Sequence, residues 1–194
     1  PKHDRLPVLT LAASTSTLAL GVGTRSDYRV IFRDTELLGE RKSVGLEDKG
    51  IIERLVFNDV GSLVACITRH KTYVWMVSDC SLKLAVDMPN CGRMWDLLDV
   101  TFSKHDELFM ALLCQADNEA EAMNGSKVRS SFFRLRLHPT GTGRNMTPSS
   151  LKWESLYGEF AWPEGKSYGA VDALFDHDAT RVAISHGGEA DMTK

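Results

Sequence analysis

Two short stretches of the chain combine histidine with aspartate, the residue types that carry general acid–base and metal chemistry. They are His105-Asp106 and Asp176-His177-Asp178, with Asp172 shortly before the second. A catalytic group must come within about 3 Å of the proton that it moves. The chain contains neither an H-E-x-x-H pair nor a G-x-S-x-G sequence that would fix such a geometry locally. We therefore predict no catalytic residue, no metal site and no cofactor.

Cysteine is the next residue type that could do chemistry. The four cysteines are Cys66, Cys80, Cys91 and Cys114. None forms a Cys-x2-Cys pair and none has a histidine at zinc-ligand spacing. Cys66 and Cys114 lie in apolar runs, where a thiol behaves as a small hydrophobic side chain. This pattern predicts reduced structural cysteines in a cytoplasmic protein.

Composition excludes several classes of partner. The 194 residues are 43% hydrophobic and carry a net charge of −3. This balance lacks the basic excess that nucleic acids and anionic membranes attract. No apolar run approaches the roughly 18 residues that cross a bilayer. We expect no nucleic-acid and no membrane partner. Because the N-terminus has neither Met nor a signal-peptide segment, we expect a fragment of a larger protein.

A nine-residue pattern, the repeat frame, recurs four times in the chain. The strands that it predicts would have to position the histidine, aspartate and cysteine side chains. Each copy has an apolar anchor, a polar turn and a second apolar residue seven places on. The first three anchors recur at intervals of about 45 residues, close to the period of WD40-type repeats. The copies are Leu11–Ala19, Phe57–Ala65, Phe102–Met110 and Phe175–Ala183.

Strand patterns flank each copy of the frame. In the second copy, residues 53–57, 63–68, 72–77 and 82–86 are short apolar or β-branched runs separated by turn residues. Four strands per repeat are typical of a propeller blade. We predict an all-β fold, a partial WD40-like β-propeller of about three and a half blades of four antiparallel strands. The expected blades are 1–46, 47–92, 93–165 and an incomplete 166–194; another all-β fold is the alternative.

The second copy also carries a family resemblance. Phe57-Asn-Asp-Val-Gly-Ser-Leu-Val-Ala65, followed by Thr72-Tyr-Val-Trp75, resembles the F-S-P-D-G-x-L-L-A … V-x-V-W-D core of WD40 repeats. Met76 replaces the final Asp, and the opening Gly-His is absent. The run from Pro7 to Gly187 also resembles the divergent C-terminal propellers of fungal NACHT-type NTPases. That resemblance implies a sensing or protein-binding role, with the NTPase motifs upstream.

Loops after the second strand of every propeller blade emerge on one face, and loops on a rigid scaffold commonly carry function. We expect a partner surface there, whereas the two His-Asp turns fall on the opposite face. The function expected is a protein–protein interaction scaffold. The alternative is a propeller-type enzyme or ligand-binding domain completed by missing blades. The residues expected to bind a protein partner are Arg25, Arg69, His70, Lys71, Glu119 and His186.

An incomplete propeller also leaves strand edges without a neighbour. We therefore expect the isolated chain to self-associate through unpaired blade edges.

Overall fold

The computed structural model describes residues 7–24, 27–37, 39–90, 95–115, 128–137, 151–156, 170–176, 179 and 181–186. These residues form fourteen strands in four antiparallel sheets of four, four, four and two strands. In each sheet the strands follow one another in chain order. No helix occurs within the described ranges. The prediction of a partial β-propeller with about three and a half blades is confirmed.

The four sheets are numbered as blades 1 to 4. Blade 1 contains β1 (Val8–Ala13), β2 (Thr17–Thr24), β3 (Asp27–Asp34) and β4 (Glu40–Gly45). Blade 2 contains β5 (Ile52–Phe57), β6 (Leu63–Thr68), β7 (Lys71–Met76) and β8 (Ser81–Asp87). Blade 3 contains β9 (Trp95–Phe102), β10 (Glu107–Gln115), β11 (Val128–Arg136) and β12 (Glu154–Ser155). Blade 4 contains β13 (Ala170–Phe175) and β14 (Val182–His186).

Burial follows the position of each strand in its sheet. Every residue of β6 is buried, as expected for a central strand covered on both faces. β8 instead alternates between buried and exposed residues, the pattern of a strand with one face in solvent. The fourth strand of blade 1 begins only at Glu40. The Asp34 carboxylate accepts the N–H groups of Glu36 and Leu37, which makes a turn there and delays the strand to Glu40.

The first strand of every blade contains a β-bulge. The pairing register shifts between Val8 and Thr10, between Ile52 and Arg54, and between Ala170 and Asp172, and a similar shift occurs in blade 3. An extra residue of this kind bends the strand and increases its local twist. The four sheets thus share an irregular feature in addition to their strand order.

The pairing also corrects the first copy of the repeat frame. Phe57 ends β5 and pairs with Val64, whereas in blade 1 the residue that ends β1 and pairs with Leu18 is Ala13. The turn of blade 1 is shorter than that of blade 2. Ala13, and not Leu11, is therefore the structural counterpart of Phe57.

The chain divides into two compact units, each with its own core. The first unit holds blades 1 and 2 and the turn Lys104–Asp106. In its core the rings of Phe32 and Trp75 meet edge to face at 6.1 Å, and Tyr73 stacks on Trp75 at 5.6 Å. Such aromatic pairs contribute beyond the area that they bury. Phe32 brings blade 1 into direct contact with the third strand of blade 2.

The second unit holds blades 3 and 4. Phe175 of blade 4 packs edge to face against Phe109 and Phe132 of blade 3. Its backbone N–H donates to the buried carboxylate of Asp99 at 2.9 Å. A buried carboxylate needs such donors because its charge is costly to remove from water.

Candidate functional site

The loop between β6 and β7 is the predicted partner-binding loop that the structure describes most completely. Thr68 is fully buried at the end of β6, and its hydroxyl oxygen accepts the N–H groups of His70 at 3.2 Å and Lys71 at 2.9 Å. A threonine that bonds the backbone two and three residues on fixes a tight turn. The turn holds the His70 side chain out in solvent.

A second segment, the connection from blade 1 to blade 2, is tied to the same loop by Asp48. One carboxylate oxygen accepts the Thr68 hydroxyl at 2.7 Å, and the other accepts the Tyr73 hydroxyl at 2.8 Å. Hydrogen bonds to a charged acceptor are among the stronger ones in proteins. Burial raises the pKa of Tyr73, and the neighbouring Asp48 carboxylate raises it further, so Tyr73 stays a neutral donor.

Gly50 lets this connection lie against the loop. A Cβ atom at this position would come within 2.7 Å of the Asp48 carboxylate and 3.0 Å of the Thr68 hydroxyl. Only glycine leaves room for both hydrogen-bonded groups. Asp48 and Gly50 were not predicted from the sequence, and their position between two strands in Glu47-Asp-Lys-Gly50 resembles any polar turn.

Nearby carboxylates compensate the two basic residues of the loop. Arg69 forms an ion pair with Glu53, and the Lys71 amine lies 3.9 Å from the Asp87 carboxylate. Exposed pairs of this kind stabilise a fold by about 1 kcal/mol at most, although they cancel local charge. Beside them the Ile51 side chain is half exposed. We name Ile51, Arg69, His70 and Lys71 the blade 2 loop surface.

The other residues predicted to bind a partner are described only in part. Arg25 and Glu119 lie outside the described residues. His186 ends β14, where its backbone pairs with Ala170, and its side chain is not among those described. A role for these three residues in binding stays a prediction.

The aspartates of the His-Asp turns make structural hydrogen bonds. Asp106 has a left-handed backbone, and its carboxylate accepts the side-chain N–H of the buried Asn58 at 2.7 Å. The Asp176 carboxylate accepts the N–H of Arg181 at 3.0 Å and closes its own turn. His177 and Asp178 lie outside the described residues, as does the side chain of Asp172. Asp176 thus fixes its own turn, whereas Asp106 joins its turn to the turn between β5 and β6.

Neither a metal cluster nor a membrane-spanning helix occurs among the described residues. No group of three or more histidine, cysteine, aspartate and glutamate side chains comes together as a metal site in the ranges that the structure describes. Within the same ranges, no helix has the length and apolar character needed to span a bilayer.

The cysteines differ from the expectation in one case. Cys66 and Cys80 carry thiols, as expected, and both are buried. Burial raises the pKa of the Cys66 thiol, which keeps it protonated and unreactive. Cys114 is disulfide-bonded, so the expectation of reduced cysteines is wrong there. Cys91 lies outside the described residues.

A cleft of about 510 Å³ lies in the first unit on the side of the turns between first and second strands. It is lined by Ala12–Thr15 of blade 1 and by Leu55–Gly61 of blade 2. Its volume falls within the range of small-molecule pockets, about 300–1,000 Å³. The lining combines small and apolar side chains with the polar residues Ser14, Thr15 and Asp59, and the amide of Asn58 already bonds Ser62 and Asp106.

Several solved structures superpose on most of this chain. Hydrazine synthase of Kuenenia stuttgartiensis superposes with a TM-score of 0.60 at 12% identity, over 87% of this chain and 46% of that one. The Dos1 propeller superposes with a TM-score of 0.58 at 13% identity, over 91% of this chain and 38% of that one. The chain has a β-propeller fold. It spans less than half the length of either of these structures, and identities this low establish the fold alone.

Comparison by sequence adds no relative. No protein-family profile matches the chain, and no curated protein matches it at a significant level.

Proposed function

We propose that the chain is a WD40-like propeller segment that acts as a protein–protein interaction scaffold, and that the blade 2 loop surface contacts the partner. The observation that carries this proposal is the rigid support beneath an exposed loop. Asp48 and Thr68 hold the loop through five hydrogen bonds, counting those to Tyr73 and to the two loop amides. A side chain presented on a fixed backbone loses little entropy when it binds.

The composition of the surface indicates the chemistry of the partner. The half-exposed Ile51 offers an apolar contact, and His70 offers an imidazole that can donate or accept. Arg69 and Lys71 have carboxylates beside them, which lowers the attraction for a purely acidic partner. The surface therefore fits a protein segment with an apolar side chain flanked by polar groups.

Paired affinity purifications test this assignment. The double variant Ile51→Asp/His70→Ala should lose a partner that the natural protein retains, because the change places a charge at the centre of the contact. The control is Leu82→Asp, which alters another half-exposed apolar residue on β8. The same partners recovered with all three proteins would refute the assignment.

The larger context that we propose is the C-terminal propeller of a NACHT-type NTPase. The support is the resemblance of the run from Pro7 to Gly187 to those propellers. A P-loop of the form G-x-x-x-x-G-K-[ST] encoded upstream in the same gene is the expected result. A gene that encodes no such motif upstream would refute this context.

A cytoplasmic location is proposed on the thiols of Cys66 and Cys80, which are buried and carry no bond to another cysteine. The disulfide at Cys114 weighs against this location, because intracellular cysteines are generally kept reduced. Because Cys114 is buried, the test denatures the cells in acid, which preserves the redox state, and then alkylates the unfolded protein before mass spectrometry. Cys114 should be alkylated before reduction if the protein is cytoplasmic.

A ligand-binding or enzymatic propeller is the second candidate, and the cleft between the turns of blades 1 and 2 is the observation that favours it. The test is an NMR titration with a mixture of small aromatic fragments. Shifts confined to the amides of residues 12–15 and 55–61 would support a ligand site. Unchanged amides there would remove the support for this candidate.

A further inference from the structure

One charged side chain lies among the described residues that line the cleft of the first unit. It is Asp59, in the exposed turn between β5 and β6. No group of the described residues bonds its carboxylate. The carboxylates of Asp48 and Asp106, in contrast, accept hydrogen bonds within the fold. An ionised carboxylate only accepts hydrogen bonds, so Asp59 attracts a donor that carries positive charge.

The other polar groups of the lining have donors that are already engaged. The backbone N–H groups of Ser14, Asn58 and Gly61 donate to carbonyl groups at their own turns. The side-chain amide of Asn58 donates to Ser62 and to Asp106, and the Ser14 hydroxyl donates within its turn. An anion in the cleft would find these donors occupied and would also face a free carboxylate of like charge. The lining therefore favours a cation over an anion.

Apolar side chains supply another part of the lining. Leu55 is 4% exposed, Val56 and Phe57 are partly exposed, and Val60 is 77% exposed. Apolar walls with a few polar groups are the usual make-up of a site for an organic ligand. With a volume of about 510 Å³, the cleft has room for an organic molecule and is far larger than a bare ion needs.

We propose that this cleft binds a small organic cation in which one protonated amine is joined to an aromatic or other apolar group. The amine donates to the Asp59 carboxylate, and the apolar group lies against the apolar lining. The inference rests on the ligand-binding candidate for this cleft and does not involve the blade 2 loop surface. An exposed ion pair raises affinity by about fivefold at most, so the apolar contact supplies most of the binding.

NMR titrations of the 194-residue chain with three related probes test the class of ligand. The probes are benzylamine, benzyl alcohol and benzoate, which at neutral pH carry a positive charge, no charge and a negative charge on the same ring. Benzylamine should shift the amides of residues 12–15 and 55–61. Its half-saturation should come at a concentration about three- to fivefold lower than that of benzyl alcohol, and benzoate should bind more weakly than either.

The variant Asp59→Asn tests the carboxylate itself. It removes the charge and keeps the shape of an exposed side chain, so the affinity for benzylamine should fall about three- to fivefold and that for benzyl alcohol should stay the same. Asp87→Asn is the matched control, because Asp87 is exposed in the same blade and does not line the cleft. It should bind all three probes as the natural chain does.

The possible results separate the class of ligand from the existence of the site. Equal affinities for benzylamine and benzyl alcohol would overturn the proposed charge and leave the cleft as a ligand site. An equal loss of benzylamine binding in Asp87→Asn would also overturn it, because attraction to the net negative charge of the chain would then explain the preference. Amides that do not shift with any probe would remove the ligand site and the inference together.

Discussion

The bond between Tyr73 and Asp48 can be measured on its own, because the structure gives Thr68 a second acceptor. The changes are Tyr73→Phe and Asp48→Ala, made singly and together. When Asp48 is removed, the Thr68 hydroxyl can turn to the Lys71 carbonyl, which lies 2.9 Å away. The buried hydroxyl of Tyr73 bonds through its proton to Asp48, and loses that acceptor.

The expected costs follow from this difference. Asp48→Ala should lower the free energy of unfolding by about 2 kcal/mol, the cost of a lost bond to a charged group. Tyr73→Phe in the natural background should lower it by about 1.5 kcal/mol, because water can reach the partly exposed carboxylate that is left behind. In the Asp48→Ala background the same change should cost about 0 kcal/mol, because removing a hydroxyl proton that has lost its acceptor offsets the loss of the 3.3 Å bond that this hydroxyl accepts from the N–H of residue 48.

The assay is urea unfolding of the four proteins, with circular dichroism and tryptophan fluorescence as independent probes. The coupling energy between the two changes should be about 1.5 kcal/mol. Tyr28→Phe is the control, because Tyr28 belongs to the same core, and its cost should add to that of Asp48→Ala within about 0.5 kcal/mol. An equal cost of Tyr73→Phe in both backgrounds would show that the bond does not hold the loop.

Three further predictions concern turns, thiols and buried charge. Gly61→Ala should destabilise the chain by about 1–2 kcal/mol, because φ is +71° there and a Cβ would lie 2.8 Å from a neighbouring side chain. Gly39→Ala is the control; it has open space around it and should cost far less in the same thermal melt. Cys66 should react with a thiol reagent only after unfolding. Because burial raises its pKa, stability should fall as the pH rises past about 8.5, where the unfolded thiol ionises first, and a smaller fall in Cys66→Ala below about pH 10, where tyrosine begins to ionise, would identify the group. Asp99→Ala should cost about 2 kcal/mol and speed hydrogen exchange at the β13 amide that Asp99 binds, and unchanged exchange there would contradict that bond.

The propeller fold was predictable because its signal is distributed over the chain. Leu63–Thr68 is a continuous apolar run and Lys71–Met76 is rich in β-branched and aromatic residues, so each is recognisable as a strand from its composition. Four such runs in the second copy of the frame then indicated four strands per blade. Strand ends were harder to predict because they depend on hydrogen bonds within single turns. The Asp34 side chain, for example, accepts two backbone N–H groups and thereby moves the start of the next strand.

The supports of the loop could not be predicted in this way. Asp48 and Tyr73 are far apart in sequence, and neither has a spacing that reveals the bond between them. Leu11 appeared to be an anchor, because its distance to Ala19 matches the frame, yet the shorter turn of blade 1 assigns that role to Ala13. Sequence spacing records the chain length between two residues, and a change in turn length alters it without altering the fold.

The bonds of Asp48 also define where blade 2 begins as a transferable unit. Asp48 precedes β5, yet its carboxylate bonds β6 and β7, so this residue belongs to the blade that follows it. To graft this blade into another propeller, or to permute the chain circularly, the chain should therefore be cut before Glu47. A cut made at the first residue of β5 would leave Thr68 and Tyr73 without the group that organises their loop, although every strand of the blade would be present.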